Sequence, residues 1–425
     1  MRISGADFKK LSGKLNPPPD KSITHRALIV GSISKKGFKI KNPLLSKDTL
    51  STMDCLRKLG KVIKIDGNEI SIEPGELIEP REILYCGNSG TTARLLPGIL
   101  SGYDFLSILD GDPSLKNRPM RRIVEPLRKM GAKIYARDKD SFLPLVVKGG
   151  NLKGINFDLS IPSAQVKSAV ILSSLFAEGE TVIREPIKSR DHLERMLNFL
   201  GVSLEIEKEM IRIKGKMKVD GGEIVVPGDI SSASFFIGAG VIIKNSHIFI
   251  KNVGLNPTRT GILKILKKMG AKIEILEVRS KCNEEVGELE VKYSNLKGIE
   301  IDEKEIPSII DEIPIISLIA TQAEGITKIR GAKELRYKES DRIKAISESL
   351  RKMGAKIEEL EDGIIVEGPT QLKGAVVDSF GDHRIAMTLA IASIVAKGES
   401  YIKNFDCVDI SYPEFFRDLS YLCSA

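Results

Sequence analysis

The chain has 425 residues, 42% of them hydrophobic, which is long enough for two domains with separate cores. No apolar run approaches the roughly 20 residues of a membrane span, and the opening MRISGADFKK has no apolar segment of the kind that marks a secretory signal. The net charge of +8 comes from 65 basic and 57 acidic residues interspersed along the sequence, a pattern of a mixed, solvated surface that also admits anionic ligands.

Taken in chain order, six segments read as polar helix starts. They are PPDKSITHRA (18–27), GNSGTTARLL (87–96), IPSAQVKSAV (161–170), PGDISSASFF (227–236), PSIIDEIPII (307–316) and GDHRIAMTLA (381–390). Between them recur helix ends followed by a strand: LRKLGKVIKI (56–65), LRKMGAKIYA (127–136), LNFLGVSLEI (197–206), LKKMGAKIEI (266–275) and LRKMGAKIEE (350–359). Each glycine fits a left-handed C-terminal cap. The steps of 71, 70, 69 and 84 residues define a repeat. Three units share a further loop, NLKGINFDLS at 151, NLKGIEIDEK at 295 and QLKGAVVDSF at 371. One unit therefore holds two helices and several strands, an α+β element. Only 44 residues remain from Asp382 onward, short of one period, and residues 1–19 are expected to complete the sixth unit. The predicted domains are 20–228, and 1–19 with 229–425.

The first turn of a helix exposes unpaired N–H groups and about half a positive charge, so it attracts anions. Ser, Asp, Asn and Gly there are also ordinary N-caps; the added signal is the cations beside them. Lys21, Ser22 and Arg26 open the first helix, Arg94 lies one turn into the second, and Gln165 and Lys167 begin the third. His383 and Arg384 begin the sixth. In RYKESDRI (336–343), Lys338 and Arg342 stand at i, i+4, a spacing that can clamp a phosphate or carboxylate, with Arg336 nearby. Asp311 sits in an apolar stretch, where a carboxylate is unfavourable unless it caps the helix or serves as a base. If equivalent helices lie parallel, their starts gather into a positive cleft for a small, multiply charged substrate. No G-x-x-x-x-G-K-[ST] loop or strand-borne G-x-G-x-x-G is present, so a nucleotide is not implied. Five cysteines without a C-x-x-C pair point to a reducing cytoplasm rather than a disulfide framework or zinc site.

DKSITHRALI (20–29), GNSGTTARLL, IPSAQVKSA (161–169), SRDHLERML (189–197), RYKESDRI and GDHRIAM (381–387) occur in one order across nearly the whole chain. Together they resemble the 5-enolpyruvylshikimate-3-phosphate synthase family. The resemblance implies an α/β (α+β) fold, a two-domain inside-out α/β barrel of six βαβαββ units, three per domain. It implies enolpyruvyl transfer from phosphoenolpyruvate to the 5-hydroxyl of shikimate 3-phosphate, without metal or other cofactor, by a cytoplasmic monomer with no nucleic-acid or membrane partner. By position, Lys21, Ser22, Arg26, Ser163, Ala164, Gln165, Ser189, Asp311 and Lys338 should bind shikimate 3-phosphate. Lys21, Gly90, Arg118, Gln165, Arg342 and Arg384 should bind phosphoenolpyruvate. Asp311, Glu339 and Lys21 should serve catalysis, Asp311 as the base and Glu339 at the methylene proton. The resemblance also implies inhibition by glyphosate, with Gly90 leaving room beside phosphoenolpyruvate.

Three departures qualify the resemblance. Ile410 stands where many members have a lysine that reaches phosphate, and Ala164 replaces a frequent serine. His192 replaces a tyrosine that contacts substrate; a capped surface histidine is its other reading. Transfer to UDP-N-acetylglucosamine is disfavoured because the loop GDPSLKNRPM (111–120) lacks a cysteine. An RNA-end-modifying or RNA-binding protein is disfavoured by only 5% aromatic residues and no tryptophan. A binding-only paralogue is kept open by Ile410.

Overall fold

Two kinds of helix alternate along the chain, and their residue patterns determine where each one packs. In the computed structural model, which describes residues 1–5 and 10–424, the helices in chain order are α1 (Lys21–Ser32), α2 (Lys47–Lys58), α3 (Gly90–Leu100), α4 (Arg121–Lys129), α5 (Ala164–Ser174) and α6 (His192–Phe199). They continue as α7 (Ile230–Ile242), α8 (Gly261–Lys268), α9 (Ile313–Ala320), α10 (Arg342–Lys352), α11 (His383–Val395) and α12 (Phe415–Ser424). The odd-numbered helices are apolar or small-residue on all sides and therefore sit in the interior. Every residue of α7 is buried, as is α11 from His383 to Ile394. Helices α2, α4, α6, α8 and α10 are amphipathic; α8 buries Ile262, Leu263, Ile265 and Leu266 and closes on Lys267 and Lys268.

Each unit adds a small sheet. In the third, strands lie in the order Asn156–Asp158, Glu180–Arg184, Met210–Lys214, Glu205–Glu207. The first pair is parallel and the others antiparallel. The second and fifth units repeat this order. In the first unit, Gly222–Val225 supplies the parallel partner of Phe38–Lys41. In the fourth, Ser12–Leu15 lies parallel to His247–Gly254. The sixth sheet joins Val376–Asp378 and Glu399–Lys403 in parallel and takes Arg2–Ser4 as an antiparallel edge.

The repeated glycines have two distinct causes. Gly60, Gly131, Gly201, Gly270 and Gly354 all have φ between +82° and +112°. In each, the N–H of the next residue reaches back five residues, as Lys61 to Leu56 O at 3.1 Å and Ala271 to Leu266 O at 2.9 Å. This is a Schellman closure. Gly154, Gly298 and Gly374 of the LKG loops instead permit close backbone approach. A Cβ there would lie 2.1 Å from Glu180 O, 2.5 Å from Ile326 O and 2.2 Å from Glu399 O.

The chain forms two compact units, 19–226 with 281–284, and 1–18, 227–280 and 285–425. Each has its own buried hydrophobic cluster. In the first, α3 packs on α1 and α5; in the second, α7, α9 and α11 pack on one another. The division differs in two places from that drawn on periodicity. Val226 N still bonds Lys41 O at 2.9 Å whereas Gly228 N bonds Asn252 O at 2.8 Å, so the chain changes unit before 228. Cys282 and Glu284, at a hairpin tip, bond Val225 N and His192. Among the described residues no helix is long and apolar enough to cross a membrane.

Gly374→Ala should lower unfolding free energy by about 1–3 kcal/mol through the backbone clash, whereas Gly37→Ala, whose Cβ meets nothing nearer than 3.9 Å, should change it by under ~0.5 kcal/mol. Urea unfolding of the two variants checks this.

Candidate active site

The residues singled out in the sequence gather into two clusters, one in each unit. In the unit built on 19–226, Asp20 caps α1 by accepting from Ile23 N at 2.8 Å, which brings Lys21, Ser22 and Arg26 to the first turns. Lys21 Nζ pairs with Asp48 at 2.8 Å. Arg26 is buried; it donates to Ser22 O at 3.1 Å and to Ser168 Oγ at 2.9 Å, the latter on α5. Ser163 caps α5 through Val166 N at 3.4 Å. Gln165 Oε1 accepts from Arg94 at 2.7 Å, and Gln165 Nε2 donates to Thr91 Oγ1 at 3.1 Å, so α3 fixes the orientation of this amide.

Gly90 lies directly beside the arginines of this unit. A Cβ on it would come 3.1 Å from Arg94 Nη1 and 3.3 Å from Arg118 Nη1. Arg118, from the loop before α4, is held by Asn88 Oδ1 at 2.5 Å and Asn88 O at 3.2 Å. Two guanidinium groups thus converge on the start of α3, whose cap Ser89 accepts from Thr92 N at 3.2 Å. Beneath them runs a buried chain of hydrogen bonds. His25 Nδ1 lies 2.7 Å from Thr52 Oγ1, Thr52 Oγ1 2.6 Å from Thr92 Oγ1, and Thr92 Oγ1 donates to Ser89 Oγ at 2.8 Å. Burial, then the charges of Lys21 and Arg26, hold the His25 pKa well below 6.5, so the ring is neutral.

The second cluster is built around Arg342 in the first turn of α10. Its side chain is 1% exposed and reaches Asp382 Oδ2 at 2.8 Å, Glu339 Oε2 at 2.6 Å and Asp311 Oδ1 at 3.0 Å. Burial opposes its charge, but Asp382, Glu339 and Asp311 outweigh burial and raise its pKa above that of an ordinary guanidinium. Asp382 also caps α11 by accepting from Arg384 N at 2.9 Å. Arg384 donates to Asp311 O at 3.2 Å and stands 3.6 Å from Asp311 Oδ2. Lys338 Nζ is 3.9 Å from Asp311 Oδ1. One carboxylate is therefore surrounded by three cations.

Several expectations need correction. Lys338 and Arg342 do not share a helix face: Asp341 caps α10 through Lys344 N, so Lys338 precedes the helix in extended backbone. Arg336 is occupied by Asp341 at 2.7 Å and Glu359 at 3.0 Å, and so serves structure. Asp311 does not cap α9; cations neutralise it instead. Lys167 points into the protein, fully buried between Glu185 at 2.8 Å and Glu194 at 2.7 Å. His192 is no surface residue; it is buried, with Nδ1 2.7 Å from Glu284. Arg94 was noted at its helix start, but Asn88 was not singled out from the sequence. Nor was the buried group of Arg259, Asp229, Ser231 and Glu312 at the start of α7, where Arg259 donates to Ser231 at 2.7 Å. The Asn in GNSG and the Arg in NPTRTG were the available signals.

The fold is that of the enolpyruvyl transferases. The enolpyruvyl transferase NikO from Streptomyces tendae superposes with a TM-score of 0.80 at 16% identity, covering 99% of this chain and 96% of that one, a likeness of fold alone. EPSP synthase from Acinetobacter baumannii gives 0.86 at 40% identity, covering 98% and 96%. A 3-phosphoshikimate 1-carboxyvinyltransferase from Bacillus cytotoxicus is 49% identical over 417 residues, 97% of this chain and 98% of the relative. One from Endomicrobium trichonymphae is 48% identical over 431 residues, covering 100% of both. The family profile described as EPSP synthase (3-phosphoshikimate 1-carboxyvinyltransferase) matches residues 6–419. The chain belongs to the EPSP synthase family. The UDP-N-acetylglucosamine and RNA readings are not favoured.

Because His25 is neutral when folded, the unfolded chain takes up a proton near pH 6.5 that the folded chain refuses, and stability is lost as pH falls below that value. Between pH 7 and pH 5, urea titration should show the wild type losing up to about 2 kcal/mol more than His25→Asn.

Proposed function

We propose that the two clusters divide the work of one reaction. The chain transfers the enolpyruvyl group of phosphoenolpyruvate to the 5-hydroxyl of shikimate 3-phosphate and releases phosphate, the activity of its family. The cradle of α1 and α5, with Lys21, Ser22, Arg26, Ser163, Ala164, Gln165 and Ser189, holds shikimate 3-phosphate. Gly90, Arg118, Gln165 and Lys21 of the one unit, and Arg342 and Arg384 of the other, are the residues assigned to phosphoenolpyruvate.

The observation that carries this reading is the Asp311 carboxylate among Arg342 at 3.0 Å, Arg384 at 3.6 Å and Lys338 at 3.9 Å. Transfer requires the hydroxyl to lose a proton as its oxygen bonds to the central carbon of phosphoenolpyruvate, while the methylene carbon gains one. Asp311 takes the first proton, with Lys338 orienting the ring hydroxyls. Glu339 and Lys21 act at the methylene carbon, which becomes a methyl group in the tetrahedral intermediate. The same methyl then returns a proton as the C–O bond to phosphate breaks. Arriving anions draw Arg342 and Arg384 away from Asp311 and free it to accept a proton. The guanidinium groups stabilise the departing phosphate as its charge develops.

Ile410 ends a short turn, Phe405–Ile410, and brings no cation; Arg118, Arg342 and Arg384 carry the phosphate in this chain. The monomer that the resemblance implies is the form proposed to be active. Five unbridged thiols support a reducing compartment, the cytoplasm.

Asp311→Ala should fold and lose roughly 10²–10⁴-fold in turnover, followed as phosphate release; near-normal turnover contradicts its role as base. Arg118→Ala and Arg384→Ala should each raise KM for phosphoenolpyruvate by about 10- to 100-fold through loss of charge-assisted hydrogen bonds. An effect confined to KM for shikimate 3-phosphate would mean that the two anions are exchanged in this assignment.

A further inference from the structure

The loop between strand Glu180–Arg184 and α6 folds around one buried carboxylate. Glu185 Oε1 accepts from both Ser189 N, at 2.9 Å, and Ser189 Oγ. Glu185 Oε2 accepts from Lys167 Nζ at 2.8 Å, and Lys167 Nζ also donates to Ser189 O at 3.4 Å. The Lys167 side chain is wholly buried, and Glu194, 1% exposed, completes the set. A buried ion set of this kind is seldom justified by stability, because well-packed apolar residues of similar volume do as well or better. This one fixes the N–H, the hydroxyl and the carbonyl of a single residue, Ser189. It also ties that residue to α5, since Lys167 belongs to the first turn of that helix and its N–H bonds Ser163 O at 3.0 Å.

We propose that Glu185, anchored by Lys167, is a positioning residue that sets Ser189 against the start of α5 and so determines recognition of the substrate's 3-phosphate. The proposal rests on the assignment of Ser189 to that phosphate. Glu185 makes no contact with substrate and acts through Ser189. A phosphate group is held by donors at fixed separations. Glu185 fixes where the Ser189 hydroxyl stands, and that hydroxyl turns its one proton from Glu185 to the arriving phosphate; withdrawing the carboxylate lets Ser189 drift while leaving the reacting groups alone.

Glu185→Asp keeps the charge facing Lys167 and draws the acceptor back by one methylene. KM for shikimate 3-phosphate should rise about tenfold, as for the loss of one charge-assisted contact, with kcat and KM for phosphoenolpyruvate within about threefold. In a Ser189→Ala background the same substitution should change nothing further, since the two act as one unit. Glu185→Ala, which leaves a neutral Lys167–Glu194 pair, gives the same readout if the Asp variant fails to fold. A raised KM in Ser189→Ala with an unchanged one in Glu185→Asp overturns the proposal alone, as does an effect of Glu185→Asp that persists without the serine hydroxyl. An unchanged KM in Ser189→Ala overturns the phosphate assignment, and the proposal with it.

Discussion

Arg342 carries a full positive charge in the protein interior, and its pairing organises the unit that contains it. A buried guanidinium is tolerated only with partners that replace its hydration, and here three carboxylates do so. Each partner has a second task. Asp382 caps α11, which places Arg384; Asp311 binds Arg384 and Lys338; Glu339 stands in the loop that leads into α10. Removing the cation would leave three acids against one another, so the cluster is conserved in geometry by its own electrostatics.

The other unit surrounds its guanidinium groups with amide, carbonyl and hydroxyl groups, and pairs Lys21 with Asp48. Arg94 reaches the Gln165 amide, Arg118 the side chain and carbonyl of Asn88, and Arg26 the Ser168 hydroxyl. Neutral His25 and the threonine chain supply a packed, hydrogen-bonded floor without adding charge beneath the helix starts. Lys167 would have added a cation, but Glu185 and Glu194 confine it to a structural place.

Much of the fold could be read from the sequence, because its signals are backbone requirements. Five glycines at one helix end and three in one loop each mark a conformation or approach that a side chain forbids, and such marks repeat with the units. The placement of Lys21, Gln165 and Arg384 at helix starts was legible for the same reason, since caps fix their position. The direction of a side chain was harder to read. Lys167 and Lys21 look alike in sequence, yet one is drawn inward by two glutamates distant in the chain. Lys338 and Arg342 have helical spacing, but Asp341 starts the helix between them. His192 met its partner Glu284 at a hairpin tip some 90 residues away, which no local pattern could foretell.

The most direct measurement is phosphate release by the purified chain given phosphoenolpyruvate and shikimate 3-phosphate, together and singly, with the enolpyruvyl ether followed by mass spectrometry. An enolpyruvyl transferase should release phosphate only when both are present, one per molecule of ether formed. Release from phosphoenolpyruvate alone, or none with both, would contradict the function assigned to these two clusters.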